Sequence, residues 1–223
     1  MSAHGQMRAG PAVLFIAPVI LLAGLAAHPF VHSYLDGGAS RAAAVAGAPS
    51  RWAWSHLLIA LGLGLLLVAV TIIRHRLRDA GEQRWSVVAL PLLLAGGALL
   101  GASVGSEITL AAVATSGPDV LATLVAGEHT TTPLHFGGAL MFAAGWVCLA
   151  VALHRGRILP RAQTWVATAA LAVVAGALFV PQTSAAPAHG AALVVANWLI
   201  SYHTLTDKAR TAPAATQPGH GSA

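Results

Sequence analysis

Histidine is the residue to start from, because imidazole is the side chain that can bind a transition metal, ligate haem iron or carry a proton near neutral pH. The chain has 11 of them. His28, His56, His135 and His189 each stand at the end or the start of a long apolar run, and His32 and His129 lie in the polar segments nearby. The acids Asp36, Glu107, Asp119 and Glu128 fall in the same zones of the sequence. Several imidazoles and a carboxylate at one depth are a ligand set for haem or for a transition metal such as copper, zinc or iron. His28, His56, His135, His189 and Glu107 are the candidate metal residues. A ligating histidine also needs an acceptor for its second ring nitrogen, and Glu107, Ser103 and Thr132 are placed to serve.

Other readings of the same residues stand beside this one. A histidine at a helix start can bond backbone or lipid headgroups and simply anchor the helix end. A carboxylate inside an apolar run marks an ion or proton path, and Glu107 with Asn197 and Ser201 would form a polar path in a small proton-coupled transporter. His189, Leu193, Asn197 and Ser201 recur at steps of four, which is one face of a helix. Motifs for other chemistry are missing: there is no HExxH, CxxC or GxxxxGK[ST] in the chain, and the GxSxG letters at Gly101-Ala-Ser103-Val-Gly105 fall inside a continuous apolar run rather than at a strand-to-helix elbow. With one cysteine, Cys148, there is no intrachain disulfide.

The elements that must hold these residues are read from composition. Hydrophobic residues make up 57% of the 223, and charged residues only 9%. Soluble domains carry about 25% charged residues, so this chain is built for lipid. Apolar runs of about 17 to 25 residues match a hydrocarbon layer about 30 Å thick, and they are continuous rather than alternating, which selects helices over a barrel. The fold expected is an all-α membrane protein, a bundle of six transmembrane helices. The spans cover about 11–28, 52–73, 87–107, 134–153, 164–181 and 188–205, within one domain of residues 1–206. The third stays apolar beyond 107, so it either projects past the bilayer or breaks near Gly105. Residues 207–223 are Ala-, Pro-, Thr- and Gly-rich and read as a disordered tail. The first span ends near Ala26-Ala27-His28, as a cleaved signal could, but its apolar stretch is long for one and it is expected to remain.

Orientation follows the positive-inside rule. With the N-terminus in the cytoplasm, Arg8, Arg74, Arg76, Arg78, Arg84, Arg155, Arg157, Arg161, Lys208 and Arg210 all lie inside, leaving only Arg41 and Arg51 outside. Both termini are then cytoplasmic, in a bacterial inner membrane, and the histidines gather at the outer end. The net charge of +5 records this orientation rather than a nucleic-acid partner, since no basic patch interleaved with aromatics occurs.

His56, His135 and His189 each open an even-numbered span and are followed by small and apolar residues, a pattern of three stacked helical hairpins. Gly97, Gly101 and Gly105 form a GxxxGxxxG stripe suited to close helix packing. Between spans three and four, Ser116-Gly-Pro118-Asp119 carries start signals for a short interfacial helix, while the loop from Asp36 to Ser50 reads as flexible. The leading functional expectation is a non-catalytic accessory or assembly subunit whose partners are the lipid bilayer and other membrane subunits.

Overall fold

The computed structural model of the chain describes residues 3–31, 38–117, 122, 126–127, 132–179 and 182–211. Those residues form seven α-helices: α1 (Ala3–Ala27), α2 (Ala39–Gly47), α3 (Pro49–Asp79), α4 (Arg84–Val113), α5 (Thr132–Gly156), α6 (Arg161–Ala177) and α7 (Gln182–Thr211). A 3-10 turn, Ala114–Ser116, follows α4, and no strand occurs among the described residues. Six of the helices cover the six apolar runs. Residues 118–121, 123–125 and 128–131 lie outside the described set, and with them most of the expected interfacial helix. α7 runs on past Asp207 to Thr211, and residues 212–223 are not described.

The helix ends follow local chemistry. α3 has Pro49 in its first turn, where the missing N–H costs nothing, and Arg76 and Arg78 in its last, where cations complement the helix dipole. It stops in a Schellman-type turn. Glu82 N–H reaches Leu77 O at 2.8 Å, and Gly81 takes φ +87°, which a residue with a Cβ resists. The Glu82 carboxylate then caps α4, accepting from the Trp85 N–H at 2.8 Å and the Ser86 N–H at 3.0 Å. α4 does not break at Gly105; it continues as unbroken helix to Val113. The stretch expected to be a flexible loop contains helix α2. Its alanines are the best helix formers, and Arg41 and Val45, four residues apart, share its buried face.

Along the chain the six long helices pack as a closed ring: α1 on α3, α3 on α4, α4 on α5, α5 on α6, α6 on α7, and α7 back on α1. One continuous apolar core fills it, with Leu14, Leu66, Leu93, Trp146, Leu171 and Leu193 contributing one fully buried side chain from each helix. The closure of α7 on α1 is marked by the Trp198 indole N–H donating to Phe15 O at 3.0 Å.

Large apolar side chains are exposed on the outside as well. Ile16, Leu61, Val88, Leu140, Val173 and Val195, again one from each long helix, are exposed. Contiguous apolar surface on every helix is unstable against water and normal against lipid. Pro49–Asp79, Arg84–Val113 and Thr132–Gly156 are each long and apolar enough to cross a membrane.

In lipid, helices associate through close packing rather than through the hydrophobic effect, and the glycines show where. A Cβ on Gly96 would lie 2.5 Å from Phe142 N, and one on Gly138 would lie 3.1 Å from Gly96 O. Gly62 meets the Leu21 backbone in the same way. Of the expected stripe, Gly97 lies against the Leu67 side chain, whereas Cβ atoms at Gly101 and Gly105 would meet nothing within 4 Å among the described residues. The tightest α4–α5 contact therefore runs through Gly96 and Gly138, one position round the helix from the stripe.

Candidate functional site

The candidate site is the end of the ring where α1 stops, α3 starts and α4 runs out past its neighbours. A second apolar cluster forms here, separate from the main core: Val31, Val45, Trp52, Leu110 and Ala111. Trp52 is its centre, 1% exposed. Its indole N–H donates to Glu107 O at 3.0 Å, joining α3 to α4. Trp54, two residues on, points outward and is 67% exposed.

Two imidazoles flank that indole. His28, just past the end of α1, has its ring centroid 4.8 Å from Trp52 and 4.9 Å from His56. His56 lies 4.7 Å from Trp52, one helical turn along α3. Both Nδ1 atoms are held by main-chain carbonyls, His28 by Pro29 O at 2.7 Å and His56 by Trp52 O at 2.8 Å. A carbonyl can only accept, so each Nδ1 carries a proton, and in the neutral ring each Nε2 keeps its lone pair. That is the tautomer of a metal-binding or proton-accepting imidazole.

The same end holds a buried ion pair. Arg41 of α2 donates from Nη1 to Glu107 Oε1 of α4 at 3.0 Å, with the two side chains 6% and 17% exposed. Two charges withdrawn from water are stable only when matched, and this pair pins α2 across α4. The second oxygen of Glu107, Oε2, is buried with no hydrogen-bond partner among the described residues. Arg51 secures the neighbouring corner by donating from Nε to Ala27 O at 2.7 Å, a cation on the free carbonyls of a helix C-terminus.

The remaining predicted residues go elsewhere. His135, at the start of α5, meets Ser103 of α4, with 3.2 Å between its Nδ1 and Oγ. His189 is buried on α7 and bonds the Val174 backbone of α6. Each of these four histidines thus sits at a junction between helices consecutive in the ring, and the α1–α3 junction brings His28 and His56 together. Among the described residues no group of three or more His, Cys, Asp or Glu side chains is arranged to hold a metal ion. Asn197, 1% exposed on α7, donates from Nδ2 to Leu193 O at 2.9 Å, one turn back on its own helix, and Ser201 is fully buried one turn further on. Neither shares a ring junction with Glu107, since α4 and α7 are not consecutive in the ring. His32, His129, Asp36, Asp119 and Glu128 lie outside the described residues.

Arg41 and Trp52 matter more than their sequence positions suggest. Arg41 stands in an Ala-rich stretch that looks featureless, and its one signal is its four-residue spacing from Val45. Trp52 opens an apolar run with no polar partner in sight in the sequence, and it is the core of this end.

The chain matches no protein-family model, no curated protein and no solved structure.

Proposed function

We propose that the chain is a six-span membrane bundle with its Arg-rich end and both termini in the cytoplasm, acting as a non-catalytic accessory or assembly subunit in a bacterial inner membrane. The observation that carries this reading is the Arg41–Glu107 pair together with Trp52, which lock α2, α3 and α4 into a rigid outer platform. Its charged groups are turned toward each other rather than toward an open cleft, as in a brace. A subunit of this kind presents a fixed surface to neighbouring membrane proteins and uses its apolar exterior against lipid. Native gel electrophoresis of membranes solubilised in mild detergent tests it. The chain is expected to migrate in an assembly larger than the purified protein, and migration as the free chain in both preparations would refute the subunit role.

A second reading has its own observation. The His28 and His56 rings, 4.9 Å apart with both Nδ1 atoms fixed, suit ligation of a transition metal or haem through Nε2. Metal analysis and an absorption spectrum of the purified protein decide it. A stoichiometric metal or a Soret band that disappears in His56→Ala supports the reading, and protein with neither contradicts it.

A further inference from the structure

At the opposite end of the ring, the α3–α4 turn and the C-terminus of α5 border an open, shallow cleft of about 350 Å³ lined by Ala80, Gly81, Glu82, Gln83, Arg84 and Arg155. We propose that this cleft binds the phosphate of an anionic membrane lipid, with Arg84 and Arg155 holding the headgroup and the acyl chains lying along α4.

Four observations converge on it. First, the cleft is rigid before anything binds. The Schellman-type turn fixes Gly81, and both carboxylate oxygens of Glu82 are occupied capping α4. A Cβ on Gly156 would come within 2.7 Å of Leu77 and 3.3 Å of Glu82, so the end of α5 is seated directly on the turn. Second, Arg84 and Arg155 reach the cleft from different helices and are both exposed, which is the arrangement a phosphate needs to be held from two sides.

Third, the local charge is positive. Arg76, Arg78, Arg157 and Arg161 lie on the same two turns. The acids nearby are Glu82, committed to its cap, and Asp79, paired with Arg78 at 3.7 Å. Fourth, the flank is apolar. Val87 and Val88, within one turn of Arg84 on α4, are exposed at 48% and 45%, and the Arg84 guanidinium lies 5.9 Å from the Trp85 ring centroid. A soluble anion has no use for that flank, whereas a lipid places its chains there. Basic pockets between transmembrane helices are where anionic headgroups bind.

The proposal rests on the membrane reading, and that part is checked separately by recovering the full chain only in the detergent-solubilised membrane fraction. The test itself is native mass spectrometry of the purified full-length protein in detergent with an equimolar mixture of phosphatidylglycerol and phosphatidylcholine. Phosphatidylglycerol adducts are expected to exceed phosphatidylcholine adducts by about thirtyfold, the preference that two arginines near an anionic headgroup supply. The Arg84→Gln/Arg155→Gln double variant should bring the ratio near one while keeping its melting temperature, since both side chains are exposed. Arg78→Gln/Arg161→Gln removes the same charge outside the cleft and should keep most of the preference. No preference in the unmodified chain, or an equal loss in both double variants, would overturn the proposal. So would loss of the preference on adding inorganic phosphate, which would make the cleft a site for the free anion.

Discussion

The two ends of the ring handle charge in opposite ways. At the His-rich end Arg41 and Glu107 are buried and spent on each other, and the imidazoles of His28 and His56 are fixed by backbone carbonyls around Trp52. At the Arg-rich end Arg78, Arg84, Arg155 and Arg161 face outward, and the carboxylate Glu82 serves only to cap a helix. The first arrangement stabilises the bundle, because a buried charge without its partner is costly. The second leaves charge available to whatever surrounds the protein. The chain therefore invests the polar residues of its His-rich end in architecture and keeps those of its Arg-rich end for contact.

Breaking the buried pair should expose that contrast most clearly. Arg41→Ala leaves Glu107 buried and unmatched, with an expected loss of about 3–5 kcal/mol. Arg41→Leu/Glu107→Leu should recover most of it, because two apolar side chains can replace a buried pair at little cost. Equilibrium unfolding in detergent against added denaturant measures both, and a double variant as unstable as the single would refute the pairing argument. Next in size is the packing between the two ends. Gly96→Ala forces a Cβ into the Phe142 backbone and should cost about 1–3 kcal/mol by overpacking.

Gly101→Ala, five residues along the same helix, meets open space and should be neutral or stabilising by up to about 1 kcal/mol from helix propensity. Measured by the same unfolding assay, equal destabilisation by the two glycine variants would mean that a further helix lies against Gly101. Smallest of all is Asp79→Asn at the Arg-rich end. Its pair with Arg78 is exposed, so the change should stay within about 0.5 kcal/mol. A larger loss would remove the contrast between the ends.

The apolar runs made the six long helices legible in sequence, because a continuous run of 17 or more apolar residues has few other fates. The pairing of His28 with His56 was partly legible, since one ends the first run and the other opens the second. What could not be read was everything that depends on rotation of one helix against another. The Gly97, Gly101 and Gly105 stripe defines a face, but periodicity does not say which face meets a neighbour, and the close approach uses Gly96 instead. The Arg41–Glu107 contact spans 66 residues and depends on a short helix that composition alone does not distinguish from an Ala-rich loop. His135 and His189 open apolar runs just as His56 does, yet a similar place in the sequence does not bring side chains to the same junction.

The central claim, that the two ends lie on opposite sides of a membrane, is tested most directly by cysteine labelling. With Cys148 replaced by Ala, single cysteines at Ser116 and Ala80 place an exposed thiol at the His-rich and the Arg-rich end respectively. A membrane-impermeant maleimide applied to cells whose outer membrane has been opened should label Ser116→Cys at once, and Ala80→Cys only after the inner membrane is permeabilised. Labelling of both positions before permeabilisation would contradict the account.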